Sequence, residues 1–403
     1  MWYNAGVSKM CMLDEIAAKR GALRVVIAGG FLKSYIEGLL AAAVAFLFVL
    51  PGIGAWGVSL FLCVGSIAHI AFTLASGFLV RRMGVRRVMT AAAVLPIVAV
   101  CFYVLPSCGV VPLAVGNAIK GSSFGILTAV SPLLIVENTE AERRGRGSAF
   151  FQLSMQIGSV VGALFGAGVS ALFRERLQLA LDIDFMLMLL PVALFLPLAR
   201  RLPESGAAVR TPAVSFRMTF SRLRVVLPAV GFMMLMSATG VGTVMNYAVV
   251  VLNDAGFVGA TANLVDTLLR ALSIVAVIVA AGVVDRIGRM RLLRASVIIM
   301  AVGFAGAAMT SGAAFAVFLL VAVMAFSCGF GACAWAVVPE MLPKDVRAQG
   351  TSLALFAGQV TTCTMLAGFP HVRALWGGSY AFLLFAAASA FSFVYFGIIH
   401  RKP

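Results

Sequence analysis

Ionisable side chains are the scarcest material in this chain. Asp, Glu, Lys and Arg make up 11% of its 403 residues, and only 15 of those are acidic. Histidine occurs three times. So few imidazoles give no basis for a metal cluster or a Ser-His-Asp set, and no enzyme, metal or organic cofactor is expected. The seven cysteines, Cys11, Cys63, Cys101, Cys108, Cys328, Cys333 and Cys363, show no metal-ligand spacing. Cys101 and Cys108 lie near one loop and could pair, but two free thiols are the simpler expectation. Neither a GxxxxGK loop nor an HExxH helix is present, which argues against an ATP-driven pump and a zinc hydrolase.

What the chain has in plenty is hydrocarbon: 62% of residues are hydrophobic, and the mean hydropathy is +1.05. A soluble fold of this composition would expose one continuous apolar surface, so a lipid bilayer is the expected environment. At about 20 residues per helix, the length suits twelve spans. They are expected near 25–49, 56–80, 88–105, 111–136, 147–170, 183–199, 225–250, 261–284, 295–313, 315–338, 348–368 and 378–399. The expected architecture is all-α, with two six-helix bundles (25–199 and 225–399) around a central cavity. A segment 1–24, a basic linker 200–224 and a tail 400–403 flank them. The first span begins too late and runs too long for a cleaved signal peptide.

The net charge of +16 could suggest nucleic acid, but the basic residues fall in small groups between apolar runs. With the N-terminus inside, the cytoplasmic segments hold 25 Lys or Arg. The outer loops hold 3, namely Arg174, Arg176 and Arg373, and Lys33, Lys120 and Arg270 fall within spans. That asymmetry places both termini in the cytoplasm of a plasma (inner) membrane protein. No nucleic-acid partner is expected, and a monomer suffices.

Two short stretches repeat. Gly77-Phe78-Leu79-Val80-Arg81-Arg82-Met83-Gly84-Val85-Arg86-Arg87 and Gly282-Val283-Val284-Asp285-Arg286-Ile287-Gly288-Arg289-Met290-Arg291 both join apolar runs and read as tight, basic hairpins. Further ordered matches are Pro132, Glu137 and Arg144-Gly145 after the fourth span, and Pro203-Glu204-Ser205 after the sixth. Trp335, Glu340, Pro343 and Arg347 follow around the tenth. On these residues the chain resembles the major facilitator superfamily, and within it the sugar porter branch, over nearly its whole length. The resemblance implies a secondary transporter working by alternating access. It also implies a sugar or polyol as the favoured solute and protons as the coupling ion, in symport. The alternatives are a proton-linked organic-anion carrier and an exporter of amphipathic compounds. Arg81 stands where the family has an acid.

Polar residues deep in spans are the candidates for function. Gln152 and Gln156 are one helical turn apart and share a face; each amide offers an acceptor and two donors, which suits a polyol. The resemblance makes Gln152 a sugar ligand and Trp335 an aromatic lining the sugar cavity. In the seventh span Gly240, Tyr247, Ala255 and Gly256 follow the family, which implies binding roles for Tyr247 and its neighbour Asn246. The family's paired Gln are Met236 and Ser237 here, its next Asn is Gly242, and Gly358-Gln359 replaces an Asn-Trp pair. Arg270 could neutralise an anionic substrate or form a static pair with Asp266.

Lys33 and Glu37 share a face of the first span. The family's proton-linked acid would stand at Ile36, beside Tyr35, and its Arg partner at Asn117. Glu37 could therefore exchange protons while pairing with Lys33 or Lys120, or it could form a static pair. His69 is expected to pack. At inner helix ends, Glu137 with Arg144, Asp285 with Arg289, and Glu340 with Arg347 are expected to gate the cavity.

Overall fold

The computed structural model describes residues 21–40, 54–104, 109–173, 176–202, 222–257 and 260–400. Outside the described residues lie Cys11, Pro51-Gly52, Cys108, Arg174, Pro203-Glu204-Ser205, most of the 200–224 linker and the 401–403 tail. Among the described residues every regular element is a helix and there is no strand. Eleven segments are long and apolar enough to cross a membrane, and a helix at 21–40 opens the first expected span. The protein is an all-α polytopic membrane protein.

It divides into two units. The first holds 1–141 and 154–213, the second 142–153 and 214–403. The stretch 142–153, at the start of the fifth span, groups with the second unit.

The first unit contains α1 (21–40), α2 (Gly54–Met83), α3 (Val85–Tyr103), α4 (Val110–Asn138), most of α5 (Arg144–Leu172), α6 (Leu177–Leu187) and α7 (Leu189–Arg200). Its centre is α4, buried without a gap from Gly121 to Val136. A helix apolar on all sides belongs in the middle of a bundle. In lipid, apolar burial gives little drive for helix association, so close backbone approach must supply it. Two glycine pairs do this. A Cβ at Gly158 or Gly162 of α5 would run into the backbone carbonyls of Phe31 and Tyr35 in α1. One at Gly121 or Gly125 of α4 would strike the carbonyls of Gly65 and His69 in α2. Each pair is four residues apart, the spacing that lines one helix face.

The second unit contains α8 (Leu223–Ala238), α9 (Val241–Asn246), α10 (Ala248–Asp254), α11 (Ala260–Ile287), α12 (Arg289–Met309), α13 (Gly312–Phe326), α14 (Ala332–Glu340), α15 (Arg347–Trp376) and α16 (Gly378–His400). Phe232, Phe330 and Phe396 pack ring on ring at its core, with centroids 5.4–5.6 Å apart. The two repeated sequence stretches take the same form: one glycine at positive φ separates consecutive helices, Gly84 (φ 82°) in one unit and Gly288 (φ 90°) in the other. No β-carbon-bearing residue adopts that turn without strain. The seventh span breaks at Gly240 and again at Tyr247. Between α13 and α14 a five-residue π-turn, Ser327–Gly331, interrupts the tenth span.

Candidate functional site

In the second unit, Gln152 and Trp335 come together. The Trp335 indole Nε1–H donates to Gln152 Oε1 at 2.9 Å, and Phe151 stands edge-on to the indole, with centroids 5.3 Å apart. The π-turn sets this geometry: an extra residue in one turn rotates everything downstream by about 100° around the helix axis, and Trp335 lies just downstream. With its oxygen fixed by the indole, the Gln152 amide is oriented, and its two Nε2 hydrogens make no protein hydrogen bond among the described residues. Gln156 belongs to the first unit. Its Oε1 is buried, with no hydrogen-bond partner among the described residues.

The seventh-span candidates form a separate network. Arg270 Nε donates to Asp266 Oδ2 at 3.0 Å, and its Nη2 donates to the Met245 carbonyl at 2.7 Å. The guanidinium thus holds a carbonyl next to the helix break. The Tyr247 hydroxyl donates to the Leu366 carbonyl at 3.1 Å, and its ring stacks on Phe369. Asn246 Nδ2 donates to the Gly242 carbonyl at 2.8 Å and is exposed. Ser237, at one of the family's Gln positions, is tied to the Gly358 carbonyl and to Thr362. These groups hold the eighth and eleventh spans around the broken seventh.

In the first unit, Lys33 and Glu37 form the expected pair at 3.1 Å. Lys120 makes no ion pair among the described residues. It shares the Phe124 ring with Lys33, the two ammonium nitrogens lying 5.1 and 5.9 Å from the centroid. His69 stands edge-on to the same ring and hydrogen-bonds Thr128 at 3.3 Å. Asn117 is buried, with Nδ2 donating to the Phe61 carbonyl and Oδ1 accepting from the Tyr103 hydroxyl. It is a structural strut between helices, which explains why no cation stands there.

The pairing of the inner charges departs from expectation. Glu340 takes Arg144 at 3.1 Å and also Arg289, not Arg347. Arg347 caps a helix end, donating to the carbonyls of Pro339 (3.0 Å) and Leu342 (3.4 Å). Asp285 faces Arg146 in place of Arg289, accepting its backbone N–H at 3.3 Å, with Nε at 3.8 Å. At Asp285 the close approach of Gly145 brings the start of α5 onto the carboxylate. Asp285, Arg289, Glu340 and Glu142 border a cleft of about 400 Å³. Glu137 sits half-buried at the end of α4.

Sequence reasoning missed Asp184, which is fully buried in α6. Its signal was Leu181-Asp182-Ile183-Asp184-Phe185, where two acids two residues apart enter an apolar helix and cannot both face outward.

Polar groups held at depth within helical spans of both units are the arrangement a polytopic solute carrier needs. The sequence profile described as Major Facilitator Superfamily matches residues 26–365. The chain belongs to that family. YwtG of Bacillus subtilis, which is named for metabolite transport, is 25% identical over 420 residues, spanning 93% of this chain and 90% of that one. The D-xylose transporter of Levilactobacillus brevis is 22% identical over 396 residues, spanning 88% and 86%. Among solved structures, the proton:xylose symporter XylE superposes with a TM-score of 0.80 at 17% identity, covering 94% of this chain and 95% of that chain. XylE is a xylose transporter from E. coli.

Proposed function

We propose that the protein imports a small polyhydroxylated solute of the aldopentose or hexose class together with protons. It would work as a monomer in the plasma membrane, with both termini cytoplasmic. The observation that carries this reading is the Gln152–Trp335 pair, a pre-oriented amide beside a flat aromatic face. Such a pair suits vicinal hydroxyls on one edge of a sugar ring and C–H groups on its face. Relatives named as D-xylose carriers support the solute class. The strong basic asymmetry between alternate loops supports the orientation. In this reading Gln156, Asn246 and Tyr247 add contacts to the solute. The Arg144–Glu340–Arg289 cluster, with Asp285, Arg347 and Glu137, forms the inner gate, and Glu37 with Lys33 and Lys120 takes part in coupling.

A specific observation favours a second reading, an organic-anion carrier. Lys120 and Lys33 present two ammonium groups around one ring, and among the described residues only Lys33 has an ion-pair partner, Glu37. Arg270 lends this reading less, being committed to Asp266 and a backbone carbonyl.

Uptake of labelled D-xylose into proteoliposomes tests the choice. An acid-outside gradient is expected to stimulate uptake. Gln152→Ala is expected to raise KM about 5- to 10-fold, the equivalent of one hydrogen bond of ~1 kcal/mol. Uptake of small carboxylates alone, lost in Lys120→Ala and untouched in Gln152→Ala, would transfer the assignment to the second reading.

A further inference from the structure

Asp184 stands in α6 with no exposed surface. Among the described residues neither of its carboxyl oxygens has a hydrogen-bond partner. Among the described residues the groups around it offer no cation. From α3, Tyr103 stacks its ring on Phe185 at 4.5 Å and donates its hydroxyl to Asn117. The other titratable groups of α3 are Cys101, whose thiol turns to Ile97, and Arg86 and Arg87 at the far end. From α7 the one charge is Arg200, at its far end. From α1, Lys33 and Glu37 are paired with each other, and Tyr35 lies within electrostatic reach of Asp184. The Tyr35 hydroxyl is itself buried, without a partner among the described residues. On α6 itself, Asp182 takes Gln178 at 3.3 Å on the exposed side.

A bare carboxylate in such a place would cost several kcal/mol with nothing to offset it. The neutral acid is the form that fits. We infer that Asp184 is a proton-binding site of the transport cycle, in addition to the Lys33–Glu37 pair. The carboxylate takes up one proton when unit 1 opens it to water on the acidic side, and the O–H bond breaks when it meets water on the other. Nothing else is transferred and no oxidation state changes. The site lies about 10 Å along the helix from the start of α6, at 1.5 Å per residue. One turn beyond it Met188 interrupts the helix and gives the segment a place to turn. The inference rests on the proton-coupled reading for its use in transport, though not for the protonation itself.

Two measurements separate these. Infrared difference spectra of the purified protein in lipid nanodiscs are expected to show a protonated-carboxyl band. It should shift in heavy water, vanish in Asp184→Asn and persist, displaced, in Asp184→Glu. In proteoliposomes Asp184→Asn is expected to keep D-xylose counterflow and to lose at least tenfold of gradient-driven D-xylose accumulation. A band that survives in Asp184→Asn overturns the proposal. So does a lost band with accumulation intact, which would make Asp184 a static buried acid. If Asp184→Asn does not fold, Asp184→Glu decides, since a site that must only be packed tolerates no longer acid while a proton site retains coupling. If wild-type protein moves no D-xylose, the solute assignment falls, and the band with proton uptake on acidification decides Asp184 alone.

Discussion

Glu340→Gln is expected to lower the stability of the second unit by about 2–3 kcal/mol, between the values for exposed and fully buried ion pairs. The carboxylate serves two guanidinium groups, Arg144 and Arg289, and all three side chains are only 18–26% exposed. Removing that charge takes a shared partner from two guanidinium groups at once. The thermal midpoint in detergent should drop by several degrees, and Arg144→Gln in the Glu340→Gln background should cost less than in wild type. A coupling above about 1 kcal/mol in that cycle would establish the shared partner. The exposed pair Arg373–Asp254 is the contrast: it is bidentate, at 2.5 and 2.6 Å. Its side chains are 36% and 44% exposed, so Arg373→Ala should cost under about 1 kcal/mol. Equal midpoints for Glu340→Gln and wild type would remove the cluster from the account of stability and of gating.

Gly162→Ala is expected to be comparably severe for an unrelated reason. The added methyl would meet the backbone carbonyl of Tyr35, and backbone cannot rotate aside as a side chain can. Either α1 and α5 separate or the helix bends; overpacking of this kind typically costs about 1–3 kcal/mol, and the upper end applies here. Gly168 lies on the same helix with nothing within 4 Å of a built Cβ. Gly168→Ala should be neutral or gain up to about 1 kcal/mol from helix propensity. The two alanine variants, compared by midpoint in detergent, separate close packing from backbone entropy. A similar midpoint in both would mean that the α1–α5 seam does not carry the unit.

Much of the fold was legible in the sequence because the bilayer permits few solutions. Apolar runs of span length, separated by basic turns, leave little but a helical bundle, and Gly84 and Gly288 mark their turns as plainly in sequence as in backbone angles. The site was legible only in part. Gln152 and Trp335 were identified as residues, but their mutual hydrogen bond depends on a π-turn that no periodicity announces. The partners of Glu340 were misjudged because spacing along the chain suggested a local pair, while Arg144 reaches it from 196 residues away. Asp184 was overlooked because the expected sixth span began at 183, leaving it at a helix end where an acid attracts no notice. Placed inside α6, it is a buried charge that demands an explanation.

The π-turn at Ser327–Gly331 also bears on how this chain can vary in length. A helix carrying one residue too many can lose a codon there and close into a regular ladder, so the membrane span would survive the deletion. What would not survive is the heading of the indole: Trp335 would swing by about 100° away from Gln152, with every spacing from Glu340 onward intact. Among homologous chains a single alignment gap at this point would then separate carriers of one scaffold with different solutes, and it would do so with Gln152 and Trp335 both unchanged.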